Sequence, residues 1–245
     1  MLKKLYEKSE IWFAVVWIIA YTVLASMGDN ISADIGVKKI VTLPILIVLS
    51  AIMFGFVKKN GLSEKYGLCK PEIPASKMLF YIPLVILMTE NMWRGVVLND
   101  SPLEAVLRVL SMLCVGFLEE MIFRGFLFNA MAKDGVKSAI IVSSVTFGLG
   151  HIVNLFNGSG AELLPNIMQV IYAVAIGFAF VMIYYKTKSL LPCIVTHCVM
   201  NAANTFNNTA ADTTEVVMIR CAVIAVIAAG YALYITLMVK DQETK

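Results

Sequence analysis

The 245-residue chain is 59% hydrophobic and only 15% charged, with a mean hydropathy of +0.80. A soluble domain carries nearer a quarter charged residues, so a single water-facing fold is excluded and lipid is the expected solvent. The formal net charge of +3 is small and the charges gather between apolar runs, which gives no basic face for nucleic acid.

In chain order, MLKKLYEKSE followed by IWFAVVWIIAYTVLA has the outline of a signal peptide, but the apolar runs beyond it predict a retained first helix. Runs long enough to cross ~30 Å of hydrocarbon occur at about 11–27, 40–57, 77–98, 105–131, 137–156, 164–185, 189–206 and 216–239. Only helices and closed barrels satisfy backbone polar groups in lipid, and these runs are too long for barrel strands. The expectation is an all-α, polytopic bundle of about eight transmembrane helices, one integral membrane domain over 1–245. The longest polar connector, 58–76, is basic and contains Gly and Pro. No internal repeat or low-complexity tract is visible. Cys69, Cys114, Cys193, Cys198 and Cys221 form no CxxC and mostly lie in apolar runs, so they read as packing residues.

Lysines set the orientation. With both termini cytoplasmic, the inner segments hold fourteen lysines and the outer loops only Lys38 and Lys39. The outer loops are instead polar or acidic: NDSPLE, NGSGAE and NNTAADTTE. An even number of crossings fits this asymmetry.

Against that background, GFLEEMIFRG at 116–125 stands out, because an ionisable residue inside a membrane helix costs about 2.5–3.5 kcal/mol on insertion scales. Arg124 lies one turn after Glu120 and predicts an i, i+4 ion pair. Glu119 is rotated by about 100° and needs another partner. The only two histidines are His151, on the fifth run, and His197, on the seventh, with Asn201 one turn later. At ~1.5 Å per residue, Glu119 lies ~18 Å deep, His151 ~21 Å, His197 ~12 Å and Asn201 ~18 Å. Three helices thus bring an acid, two imidazoles and a carboxamide to one layer. Two further pairs at the same spacing, Glu90 with Arg94 and Glu104 with Arg108, read as structural.

The pattern EExxxR, FxxxH, HxxxN is carried here by Glu119, Glu120 and Arg124, by Phe147 and His151, and by His197 and Asn201. It resembles the CPBP family (CAAX proteases and bacteriocin-processing proteins, also called Abi), which includes the type II CAAX prenyl endopeptidases. The resemblance covers about 103–208 and agrees with eight helices. It implies an intramembrane endopeptidase in which Glu119 is the catalytic glutamate and Glu120 the second motif glutamate. Arg124 is then the motif arginine, His151 positions the water, and His197 with Asn201 faces the substrate carbonyl.

The chemistry is coherent. A carboxylate can take a proton from water and pass it to the leaving amine. Two donors one turn apart can serve as an oxyanion hole where water is excluded. No cofactor is expected on this reading. A zinc reading competes, since Glu119, His151 and His197 make a His₂Glu set, although no HExxH is present. Two other classes stand beside the enzyme: a non-catalytic peptide-binding or bacteriocin-immunity membrane protein, and a small transporter, against which the missing repeat weighs. The expected partners are the lipid bilayer and a membrane-associated peptide or protein substrate. The expected location is a bacterial cytoplasmic membrane, and nothing in the residues sets an oligomeric state.

Overall fold

The computed structural model describes residues 2–156, 162–208, 210 and 212–240. Among these the chain is helical, and one isolated antiparallel bridge joins Val96 to Asn207. A short amphipathic α1 (Leu2–Lys8) leads into α2 (Glu10–Ile35), whose first turn is capped by Ser9 accepting from the Trp12 amide at 3.2 Å. Its end is set by Gly36, whose φ of 80° closes the helix in the left-handed region. Then follow α3 (Thr42–Lys59), α4 (Ile82–Met88), α5 (Pro102–Glu120), α6 (Asn129–Ala132), α7 (Val136–Gly150), α8 (Leu163–Thr187), α9 (Leu191–Ala203) and α10 (Thr214–Met238).

Among the described residues, five helical stretches are long and apolar enough to cross a membrane: Glu10–Ile35, Thr42–Lys59, Val136–Leu155, Leu163–Thr187 and Thr214–Met238. The other three expected runs are helical but differ in kind. The third is broken. A 3₁₀ segment, Ala75–Tyr81, precedes α4, and a second short turn, Glu90–Met92, follows it. Leu79, Phe80 and Tyr81 sit at positive φ, and the hydroxyls of Tyr231 and Tyr234 hold the neighbouring carbonyls of Met78 (2.7 Å) and Lys77 (3.3 Å). The fourth run is a continuous rod, but it changes register: Met121–Phe128, between α5 and α6, is π-helical and every residue in it is buried. The seventh run is short, since α9 has 13 residues, ~20 Å at 1.5 Å per residue. Of the expected outer loops, NGSGAE lies outside the described residues except for Glu162, and so does the C-terminal segment from 241 onward.

Two expected ion pairs are absent, for local reasons. The helix breaks between Thr89 and Gly95 (φ 93°), so Glu90 and Arg94 lose their i, i+4 geometry. Glu90 lies 3.7 Å from Arg220, while Arg94 pairs with Asp212 and donates to Asn207 at 2.9 Å. Glu104 is drawn into a capping box with Ser101 at the start of α5. Arg108 turns instead to Asp100 and Asn204, both at 3.1 Å. Asp100 also takes Lys38 at 2.6 Å. Burial pushes the Asp100 carboxyl up, but the hydrogen bonds from Lys38 and Arg108 outweigh it and hold the group below its ordinary value.

The π segment forms the centre of the fold. It is flanked by α2 and α7, while α9 lies along α5 and α8 packs between α7 and α10. Small residues permit these approaches, as membrane helix packing requires. A Cβ on Gly116 would lie 2.7 Å from the Cys198 amide nitrogen, and one on Gly148 would lie 2.8 Å from that of Val174. Gly116→Ala must therefore push α9 off α5, and we expect it to lower stability by about 1–3 kcal/mol. Gly55→Ala, where a Cβ meets nothing within 4 Å, should not. Thermal unfolding of the two purified variants in detergent checks this.

Candidate active site

The π segment shifts one stretch of backbone out of ordinary helical pairing, as such segments often do at functional sites. In lipid the displaced carbonyls need partners, and side chains supply them. Ser143 on α7 donates to the Phe123 carbonyl at 2.8 Å. The Asn129 amide reaches the carbonyls of Gly125 (2.7 Å) and Arg124 (3.3 Å) and the Tyr184 hydroxyl (2.6 Å).

The two adjacent glutamates end α5 at the mouth of this segment and part company. Glu120 is fully buried and makes the expected pair with Arg124, Nη1 to Oε1 at 2.9 Å. The same Oε1 meets Nδ1 of His197 at 2.8 Å. The Arg124 guanidinium lies 4.0 Å from the Phe147 ring centre and 5.5 Å from that of Phe180. Both rings also pack on His197, at 5.6 and 6.1 Å between centres. The cation and the imidazole thus share two aromatic walls, a contact worth more once desolvated.

Glu119 points elsewhere. Its Oε1 accepts a hydrogen bond from the Tyr21 hydroxyl at 2.6 Å, and its Oε2 lies 3.5 Å from Nε2 of His197. The carboxylate is only 15% exposed. His151, where α7 tightens into a 3₁₀ turn, stacks edge-on against the same Phe147 ring at 5.4 Å. It lies within electrostatic reach of both Glu119 and His197. Its Nδ1 is 3.3 Å from the Phe147 carbonyl, which leaves Nε2 as the nitrogen available to a water or a ligand. Asn201, one turn beyond His197, is half-buried and makes no side-chain hydrogen bond among the described residues. The backbone beside it is held by Asn91, whose amide donates to the Met200 carbonyl at 3.0 Å.

Glu119, Glu120, Arg124, His151 and His197 are therefore gathered in one place, and Asn201 follows on the same helix face as His197. Sequence reading missed Tyr21, although Phe13, Trp17 and Tyr21 recur every four residues and so share one face of α2. It also missed that Phe147 supports both imidazoles. Both imidazoles engage Nδ1 and leave Nε2, as metal-ligating histidines commonly do. Yet among the described residues no three His, Cys, Asp or Glu side chains are placed to hold an ion.

Residues 101–203 match the family described as type II CAAX prenyl endopeptidase, Rce1-like. The matched segment, under half of the chain, is similar to that family. It contains every motif residue named above, and with the long apolar helices among the described residues it supports a multi-pass membrane protein. A comparison with curated proteins returns no match.

Removing one member of a buried pair strands the other charge. Arg124→Ala should cost about 3–5 kcal/mol on that ground, whereas a combined Glu120→Gln, Arg124→Met variant, which keeps an acceptor for His197, should lose less. Denaturant unfolding in micelles compares them.

Proposed function

We propose that the chain is a CAAX-type intramembrane endopeptidase in which Glu119 is the general base. The observation that carries the reading is the setting of the Glu119 carboxylate. It comes from one helix and lies between a hydroxyl and an imidazole from two others, with a second imidazole on the shared Phe147 ring. A water held by Nε2 of His151 would give a proton to Oε2 of Glu119 and attack the scissile carbonyl. The carboxylic acid would then pass that proton to the leaving amine.

His197 and Asn201 face the developing oxyanion in this scheme. With Nδ1 of His197 on Glu120, Nε2 can donate only when the ring carries both protons. Glu120 and Arg124 serve to hold His197 and leave the chemistry to Glu119. The family supports peptide hydrolysis at a membrane, and a prenylated peptide ending in Cys-aliphatic-aliphatic-X is the first substrate class to try.

The same reading includes eight crossings with both ends cytoplasmic. The broken third run, the rod 102–132 and the short seventh run would add to the five long helices. A bacterial cytoplasmic membrane and a membrane-associated peptide substrate complete it. A zinc-dependent variant of the mechanism would draw on Nε2 of His151 and Nε2 of His197 together with Glu119. The immunity reading predicts that a Glu119→Ala chain still complements.

In proteoliposomes with a farnesylated CAAX peptide, wild type should cleave with chelator present. Glu119→Gln should lose about 10²–10⁴-fold in kcat while remaining folded. Loss of wild-type cleavage on chelation, with recovery on adding zinc, would replace the glutamate mechanism by the metal one. Full activity in Glu119→Gln would end both.

A further inference from the structure

The family match begins at residue 101, so it says nothing about α2. Yet α2 supplies the only side-chain hydrogen bond that Glu119 makes among the described residues, Tyr21 Oη to Oε1 at 2.6 Å. We propose that Tyr21 is a positioning residue for Glu119, fixing which carboxylate oxygen faces the reaction. The inference rests on the reading of Glu119 as the base.

Three features of the structure support it. First, the bond is short and charge-assisted when Glu119 is ionised, the stronger kind of hydrogen bond. Second, it divides the carboxylate: Oε1 is held by the hydroxyl, and Oε2 is the oxygen left towards His197. A carboxylate without that tether rotates about its last torsion, which is broad and roughly two-fold, and spreads its oxygens over unproductive directions. Third, the height of Tyr21 is set by packing. Phe13 and Trp17, two turns and one turn earlier on the same face of α2, lie against Phe126 of the π segment at 5.0 and 6.4 Å. Both are buried. Because α2 runs antiparallel to this rod, Phe13 meets residue 126 and Tyr21 meets residue 119. The aromatic contact thus fixes the register that delivers the hydroxyl.

Such a residue acts on the chemical step and leaves substrate affinity alone. Tyr21→Phe and Tyr21→Leu, in proteoliposomes with the farnesylated CAAX peptide, separate the hydroxyl from the ring. Wild type and Glu119→Gln run beside them, and thermal unfolding of each protein is measured in parallel. The expected result is a fall in kcat of about 10- to 100-fold for Phe, with KM unchanged and with Leu no better than Phe. Wild-type kcat in Tyr21→Phe, while Glu119→Gln is dead, overturns the positioning role and leaves the base intact. A rise in KM with kcat preserved overturns it too, by making Tyr21 a substrate contact. Undiminished cleavage by Glu119→Gln overturns the role of Glu119 and this inference together.

Discussion

One carboxylate oxygen organises the molecule. Oε1 of Glu120 accepts both the Arg124 guanidinium and Nδ1 of His197 with nothing left to water. A charge at this depth needs a partner and hydrogen bonds. Oε1 of Glu120 and Nη1 of Arg124 meet those demands, while Oε2 of Glu120 and Nε and Nη2 of Arg124 have no hydrogen-bond partner among the described residues. Those requirements tie the fold together. Arg124 presses on Phe147 of α7 and Phe180 of α8, and Glu120 grips His197 of α9. Four helical elements are thereby locked around a single buried pair. Placing the pair at the start of a π-helical stretch adds a demand for side-chain donors, which Ser143 and Asn129 meet.

That arrangement accounts for the adjacency of two glutamates. Successive residues on a helix diverge by about 100°, so one acid can be sunk into the scaffold while its neighbour faces another space. Glu120 anchors the imidazole whose far nitrogen approaches Glu119. The geometry of the partly exposed acid is inherited from the buried one. Reactive constellations need this kind of support, because a site held loosely by an ångström loses most of its effect.

The legible part of the sequence was the part governed by short-range spacing and by the cost of charge in lipid. Glu120 with Arg124 follows from i, i+4 geometry. The shared layer of Glu119 and His197 follows from rise per residue, and their 3.5 Å approach agrees with it. The same spacing rule failed for Glu90 with Arg94, because a turn at Gly95 breaks the helix, and for Glu104 with Arg108, because a capping box claims Glu104. Apolar length located the five long helices but could not distinguish a straight crossing from the interrupted stretch around α4, since hydropathy is blind to backbone breaks. The π register carries no compositional mark at all. Tyr21 was hidden because its partner lies 98 positions away, and only the packing of α2 on Phe126 relates the two.

The most direct measurement is an experimental structure in a lipid nanodisc with a peptidyl aldehyde, whose hydrate mimics the tetrahedral intermediate. The account predicts one hydrate oxygen about 3 Å from Glu119 and the other within a similar distance of His197 and Asn201, with His151 on the same side. A hydrate bound elsewhere, or Glu119 turned to the acyl chains and out of water-bridging reach of both imidazoles, would contradict it.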